Sequence, residues 1–316
     1  MSQSSEVLLL SPLYAPTQQA LESNHQCLRI WEQADRQAFL ASIADRIEAV
    51  ATHSGVGIDR ATVEALPKLK IVANFGVGID TTDLPACTEH GVTVCNTPDV
   101  LTEDVADMAL GLLLAAVRQI PQGDRYIRDG LWREHGEMHL TQTLQGRKVG
   151  VVGMGRIGQA IARRCAAFNT EVAYFGPRRK AEVAYQYFDD VTALAQWANV
   201  IIAACPGGPA TRKIVSAQAL SALGPEGVFV NIARGSVVDQ DALIELLDSR
   251  SLASAGLDVF NDEPNVPQAL IDMPHVVLQP HQGSASTSTR MAMGQLVVDN
   301  LRAYFAGKPL LTPVAV

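Results

Sequence analysis

The stretch KVGVVGMGRIGQAIARR, residues 148–164, decides the fold of this chain. It runs from an apolar, β-branched segment through three glycines, Gly153, Gly155 and Gly158, into a segment with helical spacing. In such a turn the first glycine permits a tight bend, the second lets a pyrophosphate approach the backbone, and the third lets helix and strand pack closely. The N–H groups at the start of the helix then face the phosphates. Because strand, turn and helix follow one another directly, the stretch predicts a dinucleotide-binding unit.

The turn after the next predicted strand, 171–175, indicates which dinucleotide is bound. A site for NAD requires Asp or Glu about 20 residues beyond the glycines, where it accepts a hydrogen bond from the ribose 2′-hydroxyl. Here the turn reads GPRRK (176–180) and holds cations instead. A guanidinium binds a phosphate through two N–H groups. We therefore predict NADP(H) in preference to NAD(H), with Arg178 and Arg179 at the 2′-phosphate.

Short apolar strands alternate with helices on both sides of this stretch, which predicts parallel strands joined by helices. The later strands are apolar throughout, as expected for a sheet covered on both faces. A long helix over 102–129, broken near Pro121, separates two such regions, and Asp59 and Asp83 are placed to cap helices in the first. The predicted strands span 7–10, 47–51, 69–73, 92–95, 148–152, 171–175, 200–204, 228–232, 255–258 and 276–278. The other predicted helices span 36–45, 60–66, 84–89, 156–168, 192–198, 216–223, 241–248 and 284–306.

Length and composition fit a globular α/β protein of about two domains. The chain has 316 residues, of which 47% are hydrophobic and 18% charged, unlike a disordered protein. A net charge of −8 and only 5% aromatic residues argue against a nucleic-acid partner. The longest apolar run, 108–117, is too short to span a membrane. The five cysteines form no CxxC pair, so we expect a cytoplasmic protein without disulfides or a metal site.

Three later strand ends carry a second group of polar residues. Arg234 follows the strand at 228–232, Asp258 and Glu263 follow the next, and His281 follows the last. Ligands of open α/β sheets bind outside the carboxyl ends of the strands. These side chains are therefore expected at the same edge as the nicotinamide.

Seven stretches of the chain together match one known family. They are FGVGID (75–80), TPDVLTEDVADMALGL (97–112), VGMGRIGQAIARR (152–164), NIARGSVVD (231–239), AGLDVFNDEP (255–264), QPH (279–281) and GKPLLTP (307–313). With these stretches the chain resembles the D-isomer-specific 2-hydroxyacid dehydrogenases, from about residue 45 to its end. Within that family it is most similar to the glyoxylate/hydroxypyruvate reductases and hydroxyphenylpyruvate reductases. Two departures from the family pattern are Gln282 and the run CPGGP from Cys205.

The resemblance implies two Rossmann-like or flavodoxin-like domains with parallel sheets, the cofactor domain being inserted in a discontinuous substrate domain. The cofactor domain would span 100–284, and the substrate domain 1–99 plus 285–316. It also implies a homodimer, with Trp132 and His135 near the partner. The implied catalytic residues are Arg234, Glu263 and His281; those for substrate are Val77, Gly78 and Arg234; those for cofactor are Gly153, Gly155, Arg156, Ile157, Gly158, Arg178, Arg179, Cys205, Ile232, Asp258 and Gly283.

The residue types suit the reduction of a 2-oxoacid, which needs a proton donor and an anion clamp besides a hydride donor. His281 can donate the proton, because histidine is a common general acid at neutral pH. Arg234 stays protonated and can hold a carboxylate while polarising the keto oxygen. We predict NADPH-dependent reduction of glyoxylate or hydroxypyruvate to the D-2-hydroxyacid. The alternatives are a dehydrogenase for a larger substrate of the phenylpyruvate, hydroxyphenylpyruvate or lactate type, and a non-catalytic, cofactor-sensing interaction protein.

Overall fold

The computed structural model describes residues 5–315, and these divide into two compact units. The split unit comprises the described residues up to Leu101 together with those from Ser286 onward. The central unit is Thr102–Ala285. Each unit is built on one parallel sheet, of five strands and seven strands respectively. The predicted α/β class with two parallel-sheet domains is therefore confirmed.

The first part of the split unit contains the five-stranded sheet. Its elements are β1 (Glu6–Leu9), α1 (Ala15–Asn24), β2 (Gln26–Arg29), α2 (Arg36–Ile43), β3 (Ala49–His53), α3 (Arg60–Glu64), β4 (Ile71–Phe75), α4 (Leu84–Glu89) and β5 (Thr93–Cys95). The strand order is β2-β1-β3-β4-β5, and most of the apolar side chains of β1, β3 and β4 are buried. The predicted helix caps are confirmed, since the Asp59 and Asp83 side chains accept hydrogen bonds from first-turn N–H groups.

The central unit contains the larger sheet, and the chain then returns to the split unit through a final helix. Its elements are α5 (Thr102–Arg118), α6 (Ile120–Arg128), α7 (Leu131–His135), β6 (Lys148–Val152), α8 (Arg156–Ala167), β7 (Glu171–Phe175), β8 (Gln186–Phe188), α9 (Val191–Trp197), β9 (Val200–Ala203), α10 (Ala217–Ala222), β10 (Val228–Asn231), α11 (Gln240–Asp248), β11 (Ser254–Leu257), α12 (Gln268–Asp272) and β12 (Val276–Leu278). The returning helix is α13 (Thr287–Phe305). The strand order is β12-β11-β10-β9-β6-β7-β8, so the order reverses between β6 and β9. Such a switch point is where doubly wound sheets bind ligands.

The register brings the carboxyl ends of the central strands level with one another. Val152 at the end of β6 lies opposite Ala203 of β9, and Asn231 of β10 also lies opposite Ala203. Leu257 of β11 pairs with Asn231 on one side and Leu278 of β12 on the other. The segments that follow these strands therefore emerge along a single edge of the sheet.

The sequence predictions missed five elements: α1, β2, α7, β8 and α12. The edge strands β2 and β8 and the helix α7 have no buried residue, and α12 buries only Leu270. Elements that bury so few apolar side chains leave little apolar periodicity to detect in the sequence. The predicted break in the long helix falls at Gln119, whose φ of 48° ends α5 before Pro121 enters the first turn of α6. Within residues 5–315 we find no helix that combines the length and apolarity needed to cross a bilayer.

Candidate active site

The glycine turn after β6 has the shape that a pyrophosphate site requires. Gly153 has a φ of +100°, and a Cβ there would lie 2.6 Å from the Cys205 nitrogen. A Cβ on Gly158 would lie 1.9 Å from the carbonyl oxygen of Gly153, so helix and turn touch directly. At Gly155, by contrast, a Cβ would meet nothing within 4 Å. The turn is closed underneath and open beside the start of α8, which no side chain caps, and so it fits a dinucleotide.

The turn after β7 carries the two arginines predicted to recognise the 2′-phosphate. Arg178 and Arg179 are exposed, and the turn is fixed by buried Tyr174, whose hydroxyl accepts a hydrogen bond from the Lys180 N–H at 2.8 Å. The Tyr187 hydroxyl donates to the carbonyl of Gly176 at 3.2 Å. A fixed turn that presents two guanidinium groups can bind a phosphate group.

His281 and Glu263 form a hydrogen-bonded pair at the carboxyl edge. The His281 Nδ1 lies 2.7 Å from Oε2 of Glu263, and the N–H of Phe260 donates to the other carboxylate oxygen, Oε1, at 3.0 Å. Burial alone would raise the pKa of Glu263, but the hydrogen bonds from His281 and Phe260 and the nearby charge of Arg234 hold it below its ordinary value. Glu263 is therefore ionised at neutral pH and can orient the imidazole ring.

The turn that carries His281 is held by Asp258. His281 has a φ of +54°, a conformation that side chains rarely adopt. Its N–H donates to the backbone oxygen of Asp258 at 2.9 Å, and the carboxylate of Asp258 accepts from the N–H groups of Gln282 at 2.6 Å and Gly283 at 2.8 Å. Burial raises the pKa of Asp258, which is only 1% exposed, although the two N–H donors oppose that rise. The family resemblance implied that Asp258 binds the cofactor, but the hydrogen bonds from Asp258 to the His281 turn were not predicted.

Arg234 follows β10 and is placed by a residue that the sequence analysis missed. The fully buried Asn231 donates from Nδ2 to the Arg234 carbonyl at 2.9 Å and accepts from the Ala233 N–H at 3.0 Å. The Arg234 Nη1 in turn donates to the Ala233 carbonyl at 2.8 Å. The signal that could have revealed Asn231 is a polar residue that ends an otherwise apolar, buried strand.

The remaining predicted cofactor residues lie at the same edge of the central sheet or next to it. Arg156 and Ile157 begin α8, while Cys205 and Ile232 are buried just after β9 and β10. Burial raises the pKa of the Cys205 thiol to about 11, so it stays protonated and acts as a packing residue. A Cβ on Gly283 would lie 2.9 Å from Oδ2 of Asp258, which explains the glycine there.

Val77 and Gly78 lie in the split unit, in the loop after β4. The Asn74 side chain donates to the carbonyls of Gly76 and Gly78 at 3.1 and 2.9 Å, and Asn96 donates to the Val77 carbonyl at 3.0 Å. These hydrogen bonds fix the loop through its backbone carbonyl groups. The substrate-binding role of Val77 and Gly78 stays a prediction.

Comparisons with known proteins agree with this geometry. Residues 110–283 match the family described as D-isomer specific 2-hydroxyacid dehydrogenase, NAD binding domain. The chain is 46% identical over 308 residues to the hydroxyphenylpyruvate reductase of Plectranthus scutellarioides, with 98% of each chain covered. It is 45% identical to glyoxylate/hydroxypyruvate reductase A of Arabidopsis thaliana, again with 98% of each covered. Among solved structures, an NADPH-dependent glyoxylate/hydroxypyruvate reductase of Sinorhizobium meliloti in complex with NADP and malonate matches with a TM-score of 0.93 and 42% identity, covering 99% of this chain and 97% of that one.

Proposed function

The chain belongs to the D-isomer specific 2-hydroxyacid dehydrogenase family, and on that premise we propose that it reduces glyoxylate or hydroxypyruvate with NADPH to the D-2-hydroxyacid. The observation that carries the proposal is the His281–Glu263 pair at 2.7 Å. It stands at the sheet edge that also bears Arg234 and the glycine turn. A proton donor, a cation for an anionic substrate and a dinucleotide turn are the parts that oxoacid reduction requires.

Proton transfer follows from the way the imidazole is held. Ionised Glu263 accepts from Nδ1–H of His281, which leaves Nε2 as the ring nitrogen available to a substrate. In the proposed reaction, Nε2–H gives its proton to the keto oxygen as that oxygen gains charge. Bound NADPH would supply the hydride for the keto carbon. Arg234 binds the substrate carboxylate and stabilises the developing oxyanion.

The preference for NADPH rests on the turn after β7. Arg178 and Arg179 stand where an NAD enzyme would place a carboxylate, and their charges favour a 2′-phosphate. The Sinorhizobium structure, which is described as NADPH-dependent, supports the same preference. The test is to compare kcat/KM with NADPH and NADH for the wild-type enzyme and for the double variant Arg178→Ser/Arg179→Ser. We expect a clear NADPH preference that the double variant loses, whereas an NADH preference in the wild type would contradict it.

An aromatic 2-oxoacid is the second candidate substrate, because the Plectranthus relative is named for hydroxyphenylpyruvate and is as similar as the Arabidopsis one. A panel of glyoxylate, hydroxypyruvate, pyruvate, phenylpyruvate and hydroxyphenylpyruvate separates the two, with NADPH oxidation followed at 340 nm. The highest kcat/KM on glyoxylate or hydroxypyruvate would support the proposal. The highest value on an aromatic substrate would favour the second candidate, and no oxidation with any of them would favour a non-catalytic role.

We also propose a cytoplasmic homodimer with α6 and α7 in its interface. None of the residues of α6 is buried, and Ile120 and Ile127, which lie on one face, are each more than half exposed. Trp132 in α7 is 59% exposed, and Leu140 beyond it is 95% exposed. Several large apolar side chains exposed on neighbouring segments support an interface with a second copy of the chain.

A further inference from the structure

Gln240, the first residue of α11, is buried in the central unit and has no part in the site described above. Its side chain is 9% exposed. Its Oε1 accepts a hydrogen bond from the backbone N–H of Asn261 at 3.1 Å. Asn261 lies two residues before Glu263, in the loop between β11 and α12. A buried amide at the start of α11 therefore binds the backbone of the loop that carries Glu263.

The segment between β10 and α11 also contacts this backbone, at Gly235. A Cβ on Gly235 would lie 2.0 Å from the carbonyl carbon of Phe260 and 2.3 Å from the nitrogen of Asn261. The backbone after Arg234 thus packs directly on the Phe260–Asn261 peptide. Since Gln240 binds the N–H of that same peptide, the peptide is fixed from two sides.

A short series of contacts leads from this peptide to the imidazole. Phe260, on one side of it, gives its own N–H to Oε1 of Glu263 at 3.0 Å. The other carboxylate oxygen, Oε2, holds Nδ1 of His281 at 2.7 Å. The Phe260 N–H lies in the preceding peptide, which shares the Phe260 Cα with the Phe260–Asn261 peptide. A displacement of that Cα would therefore move the N–H that orients the Glu263 carboxylate.

We propose that Gln240 is a positioning residue for the catalytic pair. It fixes the Phe260–Asn261 peptide, and through that peptide it keeps the Glu263 carboxylate aligned with His281. The role in turnover rests on the proposed oxoacid reductase activity, whereas the effect on the His281–Glu263 pair is a property of the protein without substrate.

The test compares Gln240→Met, which keeps the length but lacks the acceptor, with Gln240→Glu, which keeps an acceptor. Gln268→Met is the matched control, since Gln268 also begins a helix of the central unit but bonds to Asp272 within α12. We expect Gln240→Met to lower kcat about 3- to 10-fold, as expected for one hydrogen bond, with little change in KM. The alkaline limb of the pH–rate profile of this variant, measured for oxoacid reduction, should move to lower pH. The reason is that a less well aligned Glu263 carboxylate stabilises the imidazolium of His281 less. Gln240→Glu should restore most of the loss, and Gln268→Met should match the wild type.

Two further measurements keep the proposal falsifiable if stability changes as well. In a Glu263→Gln background, Gln240→Met should have no further effect on kcat, whereas an equal fold-loss in both backgrounds would overturn the proposal. Without substrate, the His281 ring signal, assigned by its loss in His281→Asn, should titrate at lower pH in Gln240→Met. An unchanged titration would overturn the proposal even in an active enzyme. A wild-type protein that oxidises no NADPH with any oxoacid would refute the proposed function, while this titration would still decide the role of Gln240.

Discussion

His281 combines a chemical task with an unusual backbone, and both determine how it should be tested. Its φ of +54° lies in the left-handed region, which asparagine tolerates better than alanine. Asparagine also keeps a polar group near Glu263, so His281→Asn removes the proton donor with little strain. Loss of a general acid should lower kcat by about 10²- to 10⁴-fold. The Kd for NADPH, measured by quenching of protein fluorescence, should stay within about twofold. A variant that keeps more than a tenth of the wild-type kcat would contradict the assignment.

Glu263 should make the stability of the fold depend on pH. Its pKa in the folded protein is lowered by the hydrogen bonds from His281 and Phe260 and by Arg234, which together outweigh its burial. The ionised carboxylate therefore stabilises the fold above the usual carboxyl range near pH 4, and this contribution disappears as pH falls through the lowered pKa. We expect the free energy of unfolding in urea to favour wild type over Glu263→Gln at pH 7, and the difference to shrink towards pH 3. A difference that is constant or grows on acidification would contradict this, with exposed Glu182→Gln as the control.

Asp258 shows why a residue's type and position alone do not determine what it does. Its place after a buried strand predicted a polar group at the cofactor edge, and the structure puts it there. Both of its carboxylate oxygens, however, are engaged by N–H groups of the His281 turn. That use depends on the path of a loop whose two N–H groups lie 24 and 25 residues later in the chain, and no short-range pattern encodes it.

At the level of elements, the sequence predicted the parts that bury apolar surface on both faces. The central strands from β6 to β12 were predicted except for β8, which has no buried residue. The glycine turn was predicted because each of its three glycines, at their fixed spacing, has a steric reason to lack a side chain. The contacts of Asn231 and Gln240 were not predicted, because a buried amide can bond to any loop that the fold brings to it. Helix α1 was missed because only Thr17 and Leu21 are buried in it.

The contact between α8 and the glycine turn should depend on Gly158. A Cβ there would lie 1.9 Å from the Gly153 carbonyl oxygen, and a backbone atom cannot move aside without opening the turn. Gly158→Ala should therefore lower the affinity for NADPH at least tenfold and lower the Tm. Gly111→Ala is the matched control, because Gly111 lies in helix α5 and a Cβ there would meet nothing within 4 Å. This substitution should raise the free energy of unfolding by about 0.5–1 kcal/mol. Equal NADPH affinity in the two variants would refute the steric argument.

At the level of the whole molecule, the net charge of −8 hides the charges that matter for the proposed function. Arg178 and Arg179 follow β7, and Arg234 follows β10. In the proposed reaction these cations would meet the anionic groups of cofactor and substrate. An acidic protein can therefore attract two anions through local positive groups that its overall composition does not reveal.

The proposed homodimer gives the last prediction, which concerns the assembly of whole chains. Ile127 is 60% exposed on α6, and a charge buried there in an interface would be unpaired and costly. Ile127→Asp should therefore convert a dimer of about twice 33.8 kDa into monomers, as measured by light scattering after size exclusion. Ile271→Asp is the matched control, because Ile271 is 52% exposed on α12 of the same unit and lies outside the proposed interface. It should remain dimeric. A wild-type monomer at micromolar concentration, or two variants that dissociate equally, would refute an interface at α6.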